Sequence, residues 1–186
     1  LDQLGKSAPK LVEDLVPNRL PLGTVAKVLQ NLLAEGVPIR DMRTIAETLA
    51  EHAFHTQDAS ALTGAVRVAL GRMIIQQISG LQQELPVITL APDLEQILLQ
   101  SMQAPEEGGG GIEPGLAERL HSGLAETAQK QEAAGQPAVL AVSAPLRELL
   151  ARFVRHTISG LRVLSYNEIP DDKQLKVVAT VGGNNA

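Results

Sequence analysis

The chain is expected to fold as α + α/β: an all-helical N-terminal subdomain, then a small α/β subdomain with a four-stranded, mostly parallel sheet. Three observations lead there. Up to Gly80 the apolar residues recur at helical spacing with no strand-like run. From residue 85 four short apolar runs appear, LPVITL, AVLAV, LRVLSY and LKVVATV. Helical patterns separate the first three, and strand–helix–strand order calls for crossovers and parallel pairing.

The elements follow in order. Residues 3–16 form a short helix with Leu4, Leu11, Val12, Leu15 and Val16 on one side, stopped by Pro17. Residues 22–35 continue with Val25, Val28, Leu29, Leu32 and Leu33, and Gly36 stands where a left-handed helix cap is wanted. Pro38 is placed in the first turn of the next helix, which is expected to bury Ile39, Met42, Ile45, Ala46, Leu49 and Ala50. Asp58 or Ser60 caps a third helix with the stripe Leu62, Ala65, Val66, Ala69, Leu70, Met73, Ile74 and Ile78.

The first strand spans 85–90. Pro92-Asp93 then opens a helix expected to turn Leu94, Ile97, Leu98 and Met102 inward. Residues 104–113 hold four consecutive glycines and read as a flexible loop. A helix from Pro114 to Ala134, a strand at 138–142, a helix over 145–157 and strands at 161–166 and 175–181 complete the pattern. The last strand follows a short turn, Pro170-Asp171-Asp172-Lys173, so antiparallel pairing with the third is expected. The division into subdomains is placed at 84/85.

Composition narrows the function. With no cysteine, disulfides and thiolate chemistry are excluded. Three aromatic residues, Phe54, Phe153 and Tyr166, leave the core to Leu, Ile, Val and Ala. The net charge of −5 is a poor match for nucleic acid. No apolar run approaches bilayer-spanning length, and the first residue, Leu1, suggests a fragment of something longer.

No reactive constellation emerges. His52 and His55 lack a third nitrogen or sulfur ligand, so a solvated helix end is the better account than a metal site. His121 and His156 are isolated. The run Gly108–Gly111 lacks the GK[ST] ending of a phosphate loop, and Glu113 at the helix start would take an anion's place. Ser143, Ser159 and Ser165 lie near strand ends without a GxSxG motif, and Ser143 reads as a helix N-cap. Asp171-Asp172 is an ordinary polar turn. No catalytic, metal or cofactor-binding residue is assigned.

The stretch TVAKVLQNLLAEGVPIRDMRTIAETLAEHA, residues 24–53, has the outline of a helix-turn-helix, but Asp41, Glu47 and Glu51 share its second helix with Arg40 and Arg43. The alternative reading is geometric. With Ile39, Met42 and Ile45 inward, Arg40, Asp41 and Arg43 project outward beside Gly36-Val37-Pro38 and suit a neighbouring protein surface. A solvated face accounts for the same charges.

These residues carry a family resemblance. KVLQNLLAEGVPIRDMRTIAETLAEHA (27–53), VRVALGRMIIQQ (66–77), GGGGIEPGLAERL (108–120), LARFVRH (150–156) and RVLSYNEIPDDKQLKVVATVG (162–182) are similar to the cytoplasmic region of the flagellar type III export gate proteins, the FlhA family. The related virulence exporters share the IRDMRTI-like helix, whereas the EPGLAERL junction and the VVATVG ending look flagellar. The resemblance implies a non-enzymatic, ring-forming and docking part of a protein export gate, without cofactors. Residues 1–18 would be the tail helix of a preceding subdomain, followed by the third and fourth subdomains. Implied partners are further copies in a nonameric ring, export substrates with their chaperones, and soluble ATPase components. The family's full-length protein sits in the bacterial inner membrane with this region in the cytoplasm. A virulence-system gate and a small-molecule-binding α/β domain are the competing expectations.

Overall fold

Residues 6, 9–103 and 112–183 are described by a computed structural model. The chain separates into two compact units, residues 1–77 and 78–186. The expected glycine loop at 104–113 lies outside the described residues, apart from Ile112 and Glu113.

Among the described residues the first stretch holds the helices α1 (Pro9–Leu15), α2 (Leu22–Ala34), α3 (Met42–His52), α4 (Ala59–Ala69) and α5 (Gly71–Ser79). α1 packs on α3, while α2 and α3 pack on α4. The apolar stripes meet through Leu15, Val28, Leu32, Ile45, Leu49, Leu62 and Val66, all fully buried. Each such side chain contributes about 1.5–3 kcal/mol relative to exposure, and this burial makes short helices stable that water alone would melt.

α2 ends in a Schellman turn. Gly36 takes φ 69°, with its N–H on the Leu33 carbonyl and the Val37 N–H on the Leu32 carbonyl at 2.9 Å. Val37 is buried beside this cap. The following helix starts later than the sequence suggests. Residues 37–41 form no helix or strand, and α3 begins at Met42, not in the turn of Pro38. The reason is competition between start signals. Pro38 disfavours helical geometry at Val37, whereas Asp41 accepts a capping bond from the Thr44 N–H at 3.1 Å. Ile39 and Met42 are consequently only half-buried.

The expected third helix is two. α4 and α5 are separated at Leu70, directly before Gly71, a poor helix former. Asp58 supplies the α4 cap, accepting from the Ala61 N–H at 2.8 Å. Ala69, expected inside, is exposed. Two polar links hold α4 and α5 to the α2 terminus. Arg67 Nη1 donates to Glu35 Oε2 at 2.9 Å, with both side chains largely shielded from water. Gln77 Nε2 donates to the Gly36 carbonyl at 3.2 Å.

The second unit is a sheet of β1 (Glu84–Leu90), β2 (Val139–Val142), β3 (Arg162–Ser165) and β4 (Gln174–Val181), in order β3-β2-β1-β4. Its helices are α6 (Pro92–Gln103), α7 (Pro114–Ala133) and α8 (Ala144–Val154). One face of the sheet, through Ile88, Leu90, Leu140, Val142 and Val163, shares a core with Leu94, Leu98, Leu120, Leu124, Leu146 and Leu150. On α6, Ile97 and Met102 are exposed rather than inward as expected.

β4 departs most from expectation. It pairs parallel with β1, not antiparallel with β3. A 3-10 turn at Tyr166–Glu168 leads the chain out of β3, and Glu168 is buried against Arg147 at 3.5 Å. β1 then offers β4 seven registered pairs, whereas β3 is four residues long. The longer ladder wins because it satisfies more backbone groups. A bulge opposite Val87/Ile88 explains the irregular alternation in LKVVATV. Val178 packs on the core, while Leu175 and Val177 stay exposed. Past the strand, Gly182 takes φ 84° and lies so close to Leu94 that a Cβ would collide with it.

Breaking the Glu35–Arg67 pair tests how α2 is held. Arg67→Met removes a shielded ion-pair partner of Glu35 and is expected to lower unfolding free energy in urea by about 3 kcal/mol. Adding Glu35→Leu is expected to recover most of the loss.

Candidate partner-docking site

The segment between the Schellman turn and α3 is anchored at both ends. Upstream, Val37 is buried and the Gly36 carbonyl is engaged by Gln77. Downstream, α3 is held at its far end, where Arg19 Nη1 donates to the Ala50 carbonyl at 3.0 Å and its guanidinium lies 4.4 Å from the Phe54 ring centre. Between these anchors Arg40, Asp41 and Arg43 are all exposed.

The three residues differ in what they leave available. Asp41 caps α3 through both oxygens, accepting from the Thr44 N–H and, at 2.6 Å, from the Thr44 hydroxyl. The Thr44 hydroxyl first, then its amide, hold the Asp41 carboxyl below the usual carboxylate range. Arg43 Nε donates to Glu47 Oε1 at 2.9 Å across one helical turn, and this bond raises the Arg43 pKa further. The pair is exposed on both sides, so it contributes little to stability. Arg40 has no hydrogen-bond or ion-pair partner among the described residues. Its guanidinium offers a planar donor fork to an incoming carboxylate.

Residues weighed for other chemistry go elsewhere. His52 is half-buried and His55 exposed at the end of α3. Among the described residues, no three His, Asp or Glu side chains converge as metal ligands would. The His121 ring meets Phe153 edge-on, with centroids 6.2 Å apart. His156 and Ser159 are exposed.

Glu113 caps α7, accepting from the Gly115 N–H at 3.0 Å and the Leu116 N–H at 2.9 Å. The Gly115 amide and then the Leu116 amide lower its pKa. Those are the donors a phosphate would need, so the carboxylate occupies an anion's place.

Ser143 precedes α8 but its side chain makes no capping bond, contrary to the sequence reading. Its N–H donates to Glu95 Oε1 at 2.9 Å, and its buried hydroxyl has no hydrogen-bond partner among the described residues. The Ser165 hydroxyl donates to Asn167 Oδ1. Tyr166 has its pKa raised by burial first and by Glu95 second.

Capping by Asp41 carries a pH signature. The group's pKa is depressed on folding, so its stabilisation is fully present above its ordinary 3.8 and disappears as pH falls through the lower folded value. Asp41→Ala is therefore expected to cost about 1 kcal/mol at neutral pH and almost nothing well below that range, measured by urea unfolding at each pH.

Comparison with known proteins matches this arrangement to one family. The FHIPEP family model matches residues 1–174. The flagellar biosynthesis protein FlhA of Salmonella typhimurium is 52% identical over 183 residues, covering 98% of this chain and 26% of that protein. The chain thus spans about a quarter of the length of the curated relatives it matches. The CdsV protein of Chlamydia pneumoniae aligns with TM-score 0.87 at 25% identity, over 97% of this chain and 52% of that one. The nonameric EscV cytosolic domain from a type III secretion system aligns with TM-score 0.82 at 27% identity, over 100% of this chain and 55% of that one. With the family model spanning all but the last residues and half of all positions shared with a flagellar relative, the chain belongs to the FHIPEP family, that of the flagellar biosynthesis protein FlhA.

Proposed function

We propose that this chain is a non-enzymatic, ring-forming and docking part of a flagellar protein export gate. The observation that carries the reading is likeness along nearly the whole chain to a flagellar biosynthesis protein, at about twice the identity it shares with the secretion-system structures. That difference favours a flagellar gate over a virulence one. The nonameric assembly of the EscV cytosolic domain supports a ring of copies of this chain.

Within such a ring the shelf at residues 40–43 suits contact with a neighbour. It is rigidly anchored, and Arg40 presents donors that nothing among the described residues engages. Arg43 and Asp41 set the local sign pattern that selects a complementary surface. Export substrates with their chaperones and the soluble ATPase components are the proposed visitors to the assembled ring. Among the described residues no helix is long and apolar enough to cross a membrane. The membrane attachment proposed for the full-length protein in the inner membrane therefore belongs to another part of it, with this region facing the cytoplasm.

Charge reversal tests the shelf. Arg40→Glu with Arg43→Glu in the full-length protein of a flagellated bacterium is expected to reduce swimming and weaken cross-linking between neighbouring copies. Stability is expected to change by less than about 1 kcal/mol, since both side chains are exposed. Unaltered swimming and cross-linking would refute a contact at this shelf.

A further inference from the structure

We propose that the open edge of β4 docks an extended apolar–acidic–apolar segment of a partner protein, which joins the sheet as a fifth strand beside Gln174–Val178. β4 is the outer strand next to β1. The Gln174 N–H donates to the Gln83 carbonyl, and the Val181 carbonyl accepts from the Ala91 N–H. In a parallel ladder the N–H and C=O of one residue point the same way, and successive residues alternate. Gln174 and Lys176 therefore spend their backbone groups on β1, while those of Leu175 and Val177 point away from the sheet.

The two halves of this strand are unlike. Toward its end Val181 is buried, α7 approaches closely at Gly123, and Gly182 is pressed on Leu94. Before the bulge, Leu175 is 41% and Val177 58% exposed, although their β1 neighbours Leu85 and Val87 are fully buried. An exposed, apolar edge with unpaired backbone groups is a template for an added strand unless something blunts it. The bulge ends the template at Val178, so it accommodates only a short segment.

Charge selects the occupant. Between Leu175 and Val177, on the opposite face, stands Lys176, exposed and without an ion-pair partner among the described residues. A segment placing two apolar residues opposite Leu175 and Val177 puts its middle residue opposite Lys176, where a carboxylate is attracted. A second copy is disfavoured by the same residue. Antiparallel pairing of two β4 edges through Leu175 and Val177 sets Lys176 against Lys176, a like-charge pair that opposes self-association.

The test uses the isotopically labelled chain and two blocked peptides, Thr-Val-Glu-Val-Thr and Thr-Val-Lys-Val-Thr, with amide exchange and chemical shifts read by NMR. The glutamate peptide is expected to slow exchange at the Leu175 and Val177 amides. The lysine peptide is expected to bind about tenfold more weakly, and Lys176→Glu to reverse that order. Val177→Pro removes an outward N–H and is expected to abolish binding while circular dichroism stays unchanged. Amides at Leu175 and Val177 already protected in the free chain would overturn the proposal. So would equal binding of the two peptides, no protection at saturating peptide, or a dimer of the free chain that Lys176→Glu leaves intact.

Discussion

Backbone groups that leave a helix or a sheet must find new partners, and in this chain those partners decide where its surfaces lie. At the end of α2 the Schellman bonds of Gly36 and Val37 satisfy orphan carbonyls, and the Gly36 carbonyl is in turn taken by Gln77. That closure stops the chain from running helically into α3. The five residues that follow are neither helix nor strand, and Asp41, the last of them, satisfies the Thr44 amide in the first turn of α3. The exposed shelf carrying Arg40 and Arg43 is a by-product of two well-satisfied helix ends separated by a short stretch of chain.

Electrostatics divides into groups used inside the structure and groups left for its surroundings. Glu35 with Arg67, and Arg147 with Glu168, are shielded pairs, costly to break singly because the remaining charge would lose this contact while still shielded from water. Glu113 and Asp41 are spent on helix amides. Arg43 with Glu47 is a solvated pair of small energetic consequence. Arg40 and Lys176 are of the second kind, since neither has an internal partner among the described residues. Charges of that kind are the ones that discriminate between partners, in affinity and in rate of encounter.

The sheet of the second unit shows the same economy of satisfaction. β1 and β2 are internal and apolar on both faces, as parallel strands covered by other elements are. β4 takes the vacant side of β1 because seven residues there can be paired, and its final residues are locked against α6 and α7. The opening residues of β4 gain one ladder and, among the described residues, leave the other unmade, so the strand is half core and half surface.

Much of this was legible in the chain itself. Val25, Val28 and Leu32 of α2 (though not Leu33, which is exposed), Ile45, Ala46, Leu49 and Ala50 of α3, the glycine cap at Gly36, the apolar strands and the outward placement of Arg40, Asp41 and Arg43 all follow from local spacing and turn chemistry. The start of α3 was misplaced because Pro38 and Asp41 are both legitimate start signals, and only the buried Val37 favours the second. Ser143 stands at the N-cap position of α8 as its sequence suggests, but its hydroxyl caps nothing, and the contact it does make, from its N–H to Glu95, comes from 48 residues away. Helix faces and cap identities are thus properties of a few neighbouring residues, and the amino-acid order alone determined them. The partner of β4, the pairing of Glu35 with Arg67 and the openness of Leu175 and Val177 depend on groups far apart in the chain. Tertiary structure decided those, because long-range pairing is chosen by total backbone satisfaction and burial, which no local pattern encodes.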